Sequence, residues 1–236
     1  MKVLSIETSG RIGSVATCDD GQVVRETVFE RGMEHGRALI PRLSEAVTKS
    51  GWSLADLALI AVSQGPGSYT GLRVGLTCAK TLAAFGNIPL VGVPSLDVLA
   101  QNAALDYATV CPVIDAKRGQ VYSAFYEPGL SRGSNYSRQS DVLVLRPEEI
   151  TERIVTPAFV FGDGLKVHRD EFLCKGVVLG DEDFWRARAS QVALLGVQLY
   201  NKYGGEDPLK LAPIYLRRPE AEERWKERLQ GENANR

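Results

Sequence analysis

Three short turns carry the residue types that could bind an anion, and each turn follows an apolar run that predicts a strand. These turns are residues 7–9, 65–71 and 162–164. Small residues and glycines at the end of a strand can direct backbone N–H groups at a phosphate or carboxylate. The residues expected at such a site are Glu7, Thr8, Ser9, Gly65, Gly67, Ser68, Gly71, Arg73, Gly162 and Gly164. The alternative is that the glycines only permit sharp turns and close backbone approach, and the residues leave both interpretations open.

Neither common phosphate-binding motif is present in the central glycine turn. A Walker A loop ends in Gly-Lys-Ser or Gly-Lys-Thr, whereas Gly71 precedes Leu72 and Arg73. The dinucleotide pattern G-x-G-x-x-G also fails, because Gly67 and Gly71 are one residue too far apart. The turn therefore indicates no particular nucleotide.

Acid–base and metal-binding side chains are few and scattered. The two histidines are His35 and His168, and position 39 is leucine, so His35 lacks an H-x-x-x-H partner. The four cysteines form no C-x-x-C pair and lie in or beside apolar runs, as core residues do. We therefore expect no metal site and no catalytic residue. Asp115 and Arg118, a carboxylate and a guanidinium near a strand end, are a further candidate pair, and a turn-stabilising ion pair is the alternative.

The elements that must position these residues fall into two halves. Residues 1–106 have the pattern βββαβαβα, and residues 107–216 open on strands again and mix strands with helices. We predict an N-terminal lobe over 1–106, a C-terminal lobe over 107–216 and a charged tail over 217–236. The 44% hydrophobic content is ample for a sizeable core. Anion candidates in both halves are what a nucleotide bound in a cleft between lobes would require.

The predicted helix after the glycine turn, residues 71–85, has two apolar faces. One is a stripe of small residues that recur every four positions: Gly71, Gly75, Ala79 and Ala83. The adjoining face carries Val74, Cys78, Leu82 and Phe85. A stripe of small residues lets another element approach closely. The neighbour is either in the same chain or in another subunit, and the residues leave both possibilities open.

The charge balance and the hydropathy exclude several classes of protein. A net charge of −1 and an isoelectric point near 6.2 give no basic footprint for direct binding of nucleic acid. No apolar run approaches the roughly 18 residues of a membrane span. Met1 and Lys2 lead straight into a predicted strand, which is not typical of a signal peptide. We expect a cytoplasmic, reduced protein without membrane contact.

Four runs, taken in order along the chain, resemble one known family. They are Ser5-Ile6-Glu7-Thr8-Ser9, GPGSYTGLR from Gly65, DAKRGQVY from Asp115 and PIYLR from Pro213. They are similar to the bacterial glycoprotease family, also labelled peptidase family M22, in its branch for tRNA threonylcarbamoyladenosine biosynthesis. The match extends from residue 3 to about residue 217. The resemblance implies an α/β, actin-like ATPase (ribonuclease H-like) fold of two related lobes.

The resemblance also implies a role beside a catalytic paralogue. That paralogue, TsaD, binds a metal through H-x-x-x-H after a strand that ends Gly-Val, and transfers the threonylcarbamoyl group to the adenosine beside the tRNA anticodon. In this chain Gly92 and Val93 precede a segment in which Ser95 and Leu99 stand where the histidines are expected. Neither side chain replaces an imidazole ligand. The expected role is a non-catalytic subunit that activates the paralogue.

The resemblance further implies pairing through helices of the first lobe, with TsaD or, in isolation, with a second copy. The interface residues expected there are His35, Leu39, Leu43, Gly71, Leu72, Gly75, Leu76, Ala79 and Ala83. The ATPase TsaE and tRNA are expected to be reached through the complex.

Two expectations on nucleotides and activity follow. No cofactor of the chain's own is expected, and ATP or ADP at the lobe cleft or at the partner interface is the open alternative. The alternative function is an autonomous actin-like-fold, ATP-dependent phosphotransferase or a metallopeptidase. ATP turnover by the chain alone that is lost in Glu7→Gln would favour the phosphotransferase.

Overall fold

Two mixed β-sheets organise the chain in the computed structural model, which describes residues 1–30, 35–103, 107–128 and 136–216. Side chains are described over the same ranges except at residues 30 and 35–38. The predicted tail, residues 217–236, and the predicted interface side chain of His35 lie outside this description. None of the described helices is long and apolar enough to cross a membrane.

The first sheet has five strands in the order β3-β2-β1-β4-β5. Its strands are β1 (Lys2–Glu7), β2 (Ile12–Asp19), β3 (Gln22–Glu30), β4 (Leu59–Gly65) and β5 (Leu90–Pro94). The first three form an antiparallel meander, and β4 and β5 run parallel to β1. Helices cover both faces, so β1 and β4 are almost entirely buried and form near-continuous apolar runs.

Three helices come from the same part of the chain. They are α1 (His35–Lys49), α2 (Tyr69–Gly86) and α3 (Ser95–Ala100), with a short 3₁₀ turn at Leu54–Asp56. The Ser68 hydroxyl caps α2 by accepting a hydrogen bond from the Gly71 N–H at 3.3 Å. The helix ends at Asn87, which adopts the left-handed conformation typical of a C-cap. The sequence therefore predicts both ends of α2 to within two residues.

The second sheet repeats the order of the first. Its strands are β6 (Thr109–Lys117), β7 (Gln120–Ser123), β8 (Tyr126–Pro128), β9 (Tyr136–Arg138), β10 (Leu143–Leu145), β11 (Ala158–Phe161) and β12 (Val177–Leu179). The main path is β10-β7-β6-β11-β12, and β8 pairs with β6 and β9. Strands β6, β7 and β10 are antiparallel neighbours, and β11 and β12 are parallel to β6. Three antiparallel strands followed by two parallel ones thus occur twice, which confirms the predicted actin-like fold of two related lobes.

The remaining helices come from the second half of the chain. They are α4 (Pro147–Thr151), α5 (Leu165–His168) and α6 (Ala189–Tyr203), with 3₁₀ turns at Asp170–Phe172 and Glu182–Phe184. Helix α6 packs on the first sheet, where a Cβ on Gly196 would lie only 2.6 Å from the Cβ of Ala61. The Ser5 hydroxyl donates to the Ala189 carbonyl at 2.7 Å. Side chains from both predicted lobes therefore pack together. The domain boundary at residue 106 stays a prediction.

The stripe of small residues on α2 faces the chain's own sheet. Gly71, Gly75, Ala79 and Ala83 are buried, as are their neighbours Leu72 and Leu76. A Cβ on Gly75 would collide with the Thr8 hydroxyl oxygen. These six residues are buried against the chain's own sheet, and their part in a subunit interface stays a prediction. The stripe exists because β1 and the turn after it lie against α2.

Candidate functional site

The turn after β1 directs its hydrogen-bond donors at its own carboxylate. Oε1 of Glu7 accepts from the Ser9 N–H at 2.5 Å and from the Ser9 hydroxyl at 2.6 Å. The Glu7 side chain is fully buried, and its Oε2 atom has no hydrogen-bond partner among the described residues. Burial raises the pKa of the Glu7 carboxyl above its ordinary value. An internal carboxylate therefore occupies the donors that a bound anion would need.

The glycine turn after β4 packs directly on the turn after β1. The Ser68 N–H donates to the Ser9 carbonyl at 2.8 Å, and a Cβ on Gly67 would lie 2.5 Å from that same oxygen. The Thr8 hydroxyl donates to the Gly71 carbonyl at 2.8 Å. The sequence left open whether these glycines bind an anion or permit close backbone approach. The contacts show close backbone approach at Gly67. The Ser9, Ser68 and Gly71 N–H groups are engaged inside the chain, and anion binding at these two turns stays a prediction.

The turn at residues 162–164 has the same character in the second lobe. Gly162 has a φ of +127°, and a Cβ there would collide with the Val113 carbonyl oxygen. The Gly164 N–H donates to that same carbonyl at 3.1 Å. These glycines let β11 leave the sheet close to β6, and Gly164 has no free N–H for an anion.

The Arg73 side chain is engaged by two tyrosines, one of them in the glycine turn. Its Nε donates to the Tyr215 hydroxyl at 3.1 Å, and its guanidinium carbon lies 4.2 Å from the Tyr69 ring centroid. The Tyr69 and Tyr215 ring centroids are 5.2 Å apart. The expected anion ligand is therefore part of a surface cluster that holds the end of the described chain.

A cleft of about 840 Å³ lies between the lobes. Its lining includes Ser9 and Tyr69 from the first lobe and Asp115, Lys117 and Asp163 from the second. Oδ2 of Asp115 lies 2.6 Å from the Lys117 ammonium, and Oδ1 accepts from the Lys117 N–H at 2.7 Å. Asp163 in turn accepts from the Asp115 N–H at 3.1 Å. Asp115 thus forms an ion pair with Lys117 inside the turn.

The tip of this β6–β7 hairpin, beside the cleft, has an unusual backbone. Lys117 and Arg118 have φ values of +63° and +56°, and Gly119 follows with +71°. Two consecutive non-glycine residues in the left-handed region are uncommon. The tip places the Arg118 part of the predicted pair beyond the strand ends, on the second lobe.

The two positions where histidine ligands would be expected belong to the core. Ser95 is 0% exposed and Leu99 is 2% exposed. The Ser95 hydroxyl accepts from the Gly65 N–H at 3.1 Å, so it ties the start of α3 to the end of β4. No group of three or more His, Cys, Asp or Glu side chains is placed to hold a metal ion within the described ranges.

An apolar groove of about 690 Å³ lies between α1 and α2, on the side of α2 away from the small stripe. Leu39 and Leu43 are buried along its lining, and Val74, Cys78 and Leu82 are half-buried. Ile40, which also lines the groove, is 64% exposed. Two expected interface residues, Leu39 and Leu43, therefore border an accessible apolar surface.

The α2 wall of this groove consists of residues that the predicted interface did not include. The missed wall residues, Val74, Cys78 and Leu82, occupy the second apolar face of α2, which the sequence reveals as a face but does not orient. Trp52, just after α1, also lines the groove and has no sequence signal that assigns it there. Only the packing of β1 against the small stripe decides which face of α2 turns outward.

Comparison with known proteins identifies relatives over nearly the whole chain. The family model described as "TsaD: tRNA N6-adenosine threonylcarbamoyltransferase" matches residues 30–141. A TsaB from Bacillus subtilis (strain 168) is 31% identical over 229 residues, which are 95% of this chain and 98% of the relative. A TsaB from Escherichia coli (strain K12) is 32% identical over 223 residues, which are 92% of this chain and 95% of the relative.

A solved structure gives the same answer. YeaZ from Pseudomonas aeruginosa superposes with a TM-score of 0.79 at 25% identity, over 91% of this chain and 99% of that one. Sequence and structure thus agree over the length of both kinds of relative. The chain belongs to the TsaB (YeaZ) family of tRNA threonylcarbamoyladenosine biosynthesis proteins.

Proposed function

We propose that this chain is a non-catalytic subunit of the complex that installs the threonylcarbamoyl group on the adenosine beside the anticodon of tRNA, and that it activates a TsaD-type catalytic paralogue. The observation that carries the proposal is the burial of Ser95 and Leu99. These positions, where the resemblance places the paralogue's metal ligands, hold core side chains, and the Ser95 hydroxyl is engaged by the Gly65 N–H. Neither can coordinate a metal for a transferred group.

The groove between α1 and α2 is the surface that supports the pairing. Monomeric proteins rarely leave large contiguous apolar patches in water, and such patches mark sites of association. Val74, Cys78 and Leu82 form one wall, and Leu39 and Leu43 lie along the α1 side. A partner helix laid into the groove would cover these side chains, and a second copy of the chain would use the same surface. Self-association and pairing with the paralogue are then mutually exclusive.

Contacts with tRNA and with a TsaE-type ATPase are assigned to the complex. The net charge of −1 gives this chain no overall positive charge of the kind that favours binding of phosphate backbones. The partner subunits must therefore supply the positive charge. ATP or ADP at the lobe cleft or at the partner interface stays an open part of the proposal. Donors of the turns after β1 and β4 are used inside the chain, so a nucleotide would need other donors.

The alternative of an autonomous phosphotransferase finds no support in the residues around Glu7. A general base must reach the proton that it removes. Glu7 is fully buried and accepts hydrogen bonds from Ser9. A metallopeptidase would require ligands at positions 95 and 99, where the core holds serine and leucine.

The groove is tested by placing a charge in it. Val74→Glu introduces a carboxylate that pairing would bury without a counter-ion, so we expect the dissociation constant for the TsaD-type subunit to rise at least about tenfold, or about 1.4 kcal/mol. Binding is measured by calorimetry, with circular dichroism to verify the fold. Val155→Glu is the matched control, because Val155 is an exposed valine of the second lobe. Equal affinity of Val74→Glu and wild type would remove the groove from the proposal.

A further inference from the structure

The last described residues return to the first lobe and end beside the groove. The Lys80 ammonium donates to the Leu211 carbonyl at 2.9 Å, and the Gln64 amide donates to the Ala212 carbonyl at 2.8 Å. The Ile214 N–H donates to the Gln64 carbonyl at 2.8 Å. This segment is therefore fixed along the first sheet and α2 by several hydrogen bonds.

Tyr215 brings the segment to the rim of the groove. Its hydroxyl accepts from Nε of Arg73, and Arg73 is itself a lining residue of the groove. The described chain ends one residue later, at Leu216. Whatever follows Leu216 thus begins next to the accessible apolar surface.

Twenty residues follow, and their length is sufficient to cover the groove. The α2 wall extends from Arg73 to Leu82, which is about 14 Å along a helix axis. A helix of twenty residues would span about 30 Å. A segment tethered at residue 216 also has a high effective concentration at the groove, because its end is held at the rim.

The composition of residues 217–236 matches an apolar groove better than an independent fold. Eleven of the twenty residues are charged, with both signs present. Ala221, Trp225 and Leu229 recur every four residues, a spacing that puts them on one face of a helix. A segment with so few apolar residues cannot bury a core of its own. Tryptophan and leucine at i and i+4 are anchors of the kind that helices insert into apolar grooves.

We propose that residues 217–236 dock in the groove between α1 and α2 of the same chain, with Trp225 and Leu229 as anchors, and so compete with the partner subunit. The competition rests on the proposed function, whereas the intramolecular contact does not. Docking in cis covers the apolar walls while the chain is alone. A partner must then displace the segment, and its apparent affinity is reduced by the fraction of chains with an open groove.

The intramolecular contact is tested by cross-linking to Cys78, a half-buried groove residue. Leu229→Cys is combined with Cys174→Ser, because Cys174 is the exposed native thiol among the described residues. A short bifunctional maleimide is added to dilute full-length chain, and products are mapped by mass spectrometry. We expect a link between Cys78 and position 229 within one chain, at least about fivefold more efficient than with Glu227→Cys, which lies on the opposite face of such a helix.

Three results would overturn the contact. Equal yields from positions 227 and 229, or no link at either, would show that the anchors do not enter the groove. A link that forms only between two chains would place the segment in a neighbouring copy and also contradict the proposal. All of these outcomes are independent of whether the groove binds a TsaD-type subunit.

The competition is tested by removing the competitor. A chain truncated after Leu216, and the full chain with Trp225→Ser and Leu229→Ser, should both bind the TsaD-type subunit about tenfold more tightly than wild type if nine in ten chains are closed. The control is Arg224→Ser with Arg228→Ser, which keeps the anchors and should bind as wild type. Unchanged affinity in the truncated chain would overturn the competition. Failure of Val74→Glu to weaken pairing would instead count against the proposed function.

Discussion

At the scale of single residues, Glu7 is the internal acceptor for the donors of the turn after β1. Its carboxylate is drawn into the protein by the Ser9 N–H and hydroxyl, while its second oxygen lacks a partner in the described part of the chain. A half-satisfied buried carboxylate is costly when ionised. The cost is tolerated here because the charged form gains two short, charge-assisted hydrogen bonds.

The raised pKa of Glu7 predicts how its contribution to stability changes with pH. The pKa is higher in the folded protein than in the unfolded chain, so the contribution is fully present below the unfolded value of about 4.5 and is lost as pH rises through the folded value. Glu7→Gln keeps an acceptor for Ser9 and has no charge to bury. We expect the free energy of unfolding of wild type, relative to Glu7→Gln, to fall between pH 4 and pH 8.

Urea unfolding of both chains across this pH range makes the measurement. The control is Glu152→Gln, whose free energy of unfolding is compared with that of wild type in the same way. Glu152 is exposed on the second lobe, so this comparison reports the general effect of removing a surface charge. If the difference in free energy of unfolding between wild type and Glu7→Gln stayed constant with pH, the account of Glu7 would be contradicted.

The residue types of the site can be predicted from the sequence, but their contacts cannot. Once the resemblance places the metal ligands at positions 95 and 99, side-chain chemistry is sufficient to show that Ser95 and Leu99 are unsuitable. It does not reveal that Ser68 donates to Ser9, because these residues are nearly sixty positions apart. The glycines fit equally well at an anion and at a close backbone crossing, and only the three-dimensional contact distinguishes the two.

At the scale of elements, α2 serves two surfaces at once. Its small residues let β1 and the turn at Thr8 approach, and its other apolar face, at Val74 and Cys78, opens on the groove. The sequence reveals both faces, but the four-residue spacing does not say which faces inward. In the structure the small stripe faces the chain's own sheet, and its role in an interface stays a prediction.

The inward stripe predicts that Gly75→Ala destabilises the monomer. The new Cβ would collide with the Thr8 hydroxyl and disturb its hydrogen bond to the Gly71 carbonyl. Overpacking and the lost bond cost about 2–4 kcal/mol, whereas alanine gains about 1 kcal/mol of helix propensity. We expect a net loss of about 1–3 kcal/mol in the free energy of unfolding, measured with urea.

Thr77→Ala is the control for this change, because Thr77 is exposed on the same helix and its replacement should be neutral or slightly stabilising. If Gly75→Ala unfolded like wild type but lost its ability to pair, the stripe would be an interface after all.

At the scale of the whole molecule, the two lobes are tied together by side chains as well as by the chain. The Tyr126 hydroxyl of the second lobe donates to Asp97 on α3 at 2.7 Å. The Asn102 amide, just after α3, donates to the Phe184 carbonyl at 3.0 Å and to the Arg186 carbonyl at 2.6 Å. Helix α6 adds its apolar face to the core beneath the first sheet. These contacts favour a fixed arrangement of the lobes.

The succession of strands and helices along the chain can be predicted from the sequence, but the long-range contacts between the halves cannot. Alternation of short apolar runs with helical segments is sufficient to predict two related halves. Val192 and Leu195 predict an apolar face on α6, yet nothing in their spacing says that the face packs on Val3 and Val91 of the other half. The same holds for the segment that ends at Tyr215.

The central claim is that the chain activates a partner without catalysing the transfer. The most direct measurement is threonylcarbamoyl transfer to tRNA in a reconstituted mixture of the TsaD-type subunit and its companion proteins, with and without this chain. We predict loss of product when the chain is left out, its return when the chain is added back, and no product from the chain alone. Unchanged product without the chain, or product from the chain alone, would contradict the claim.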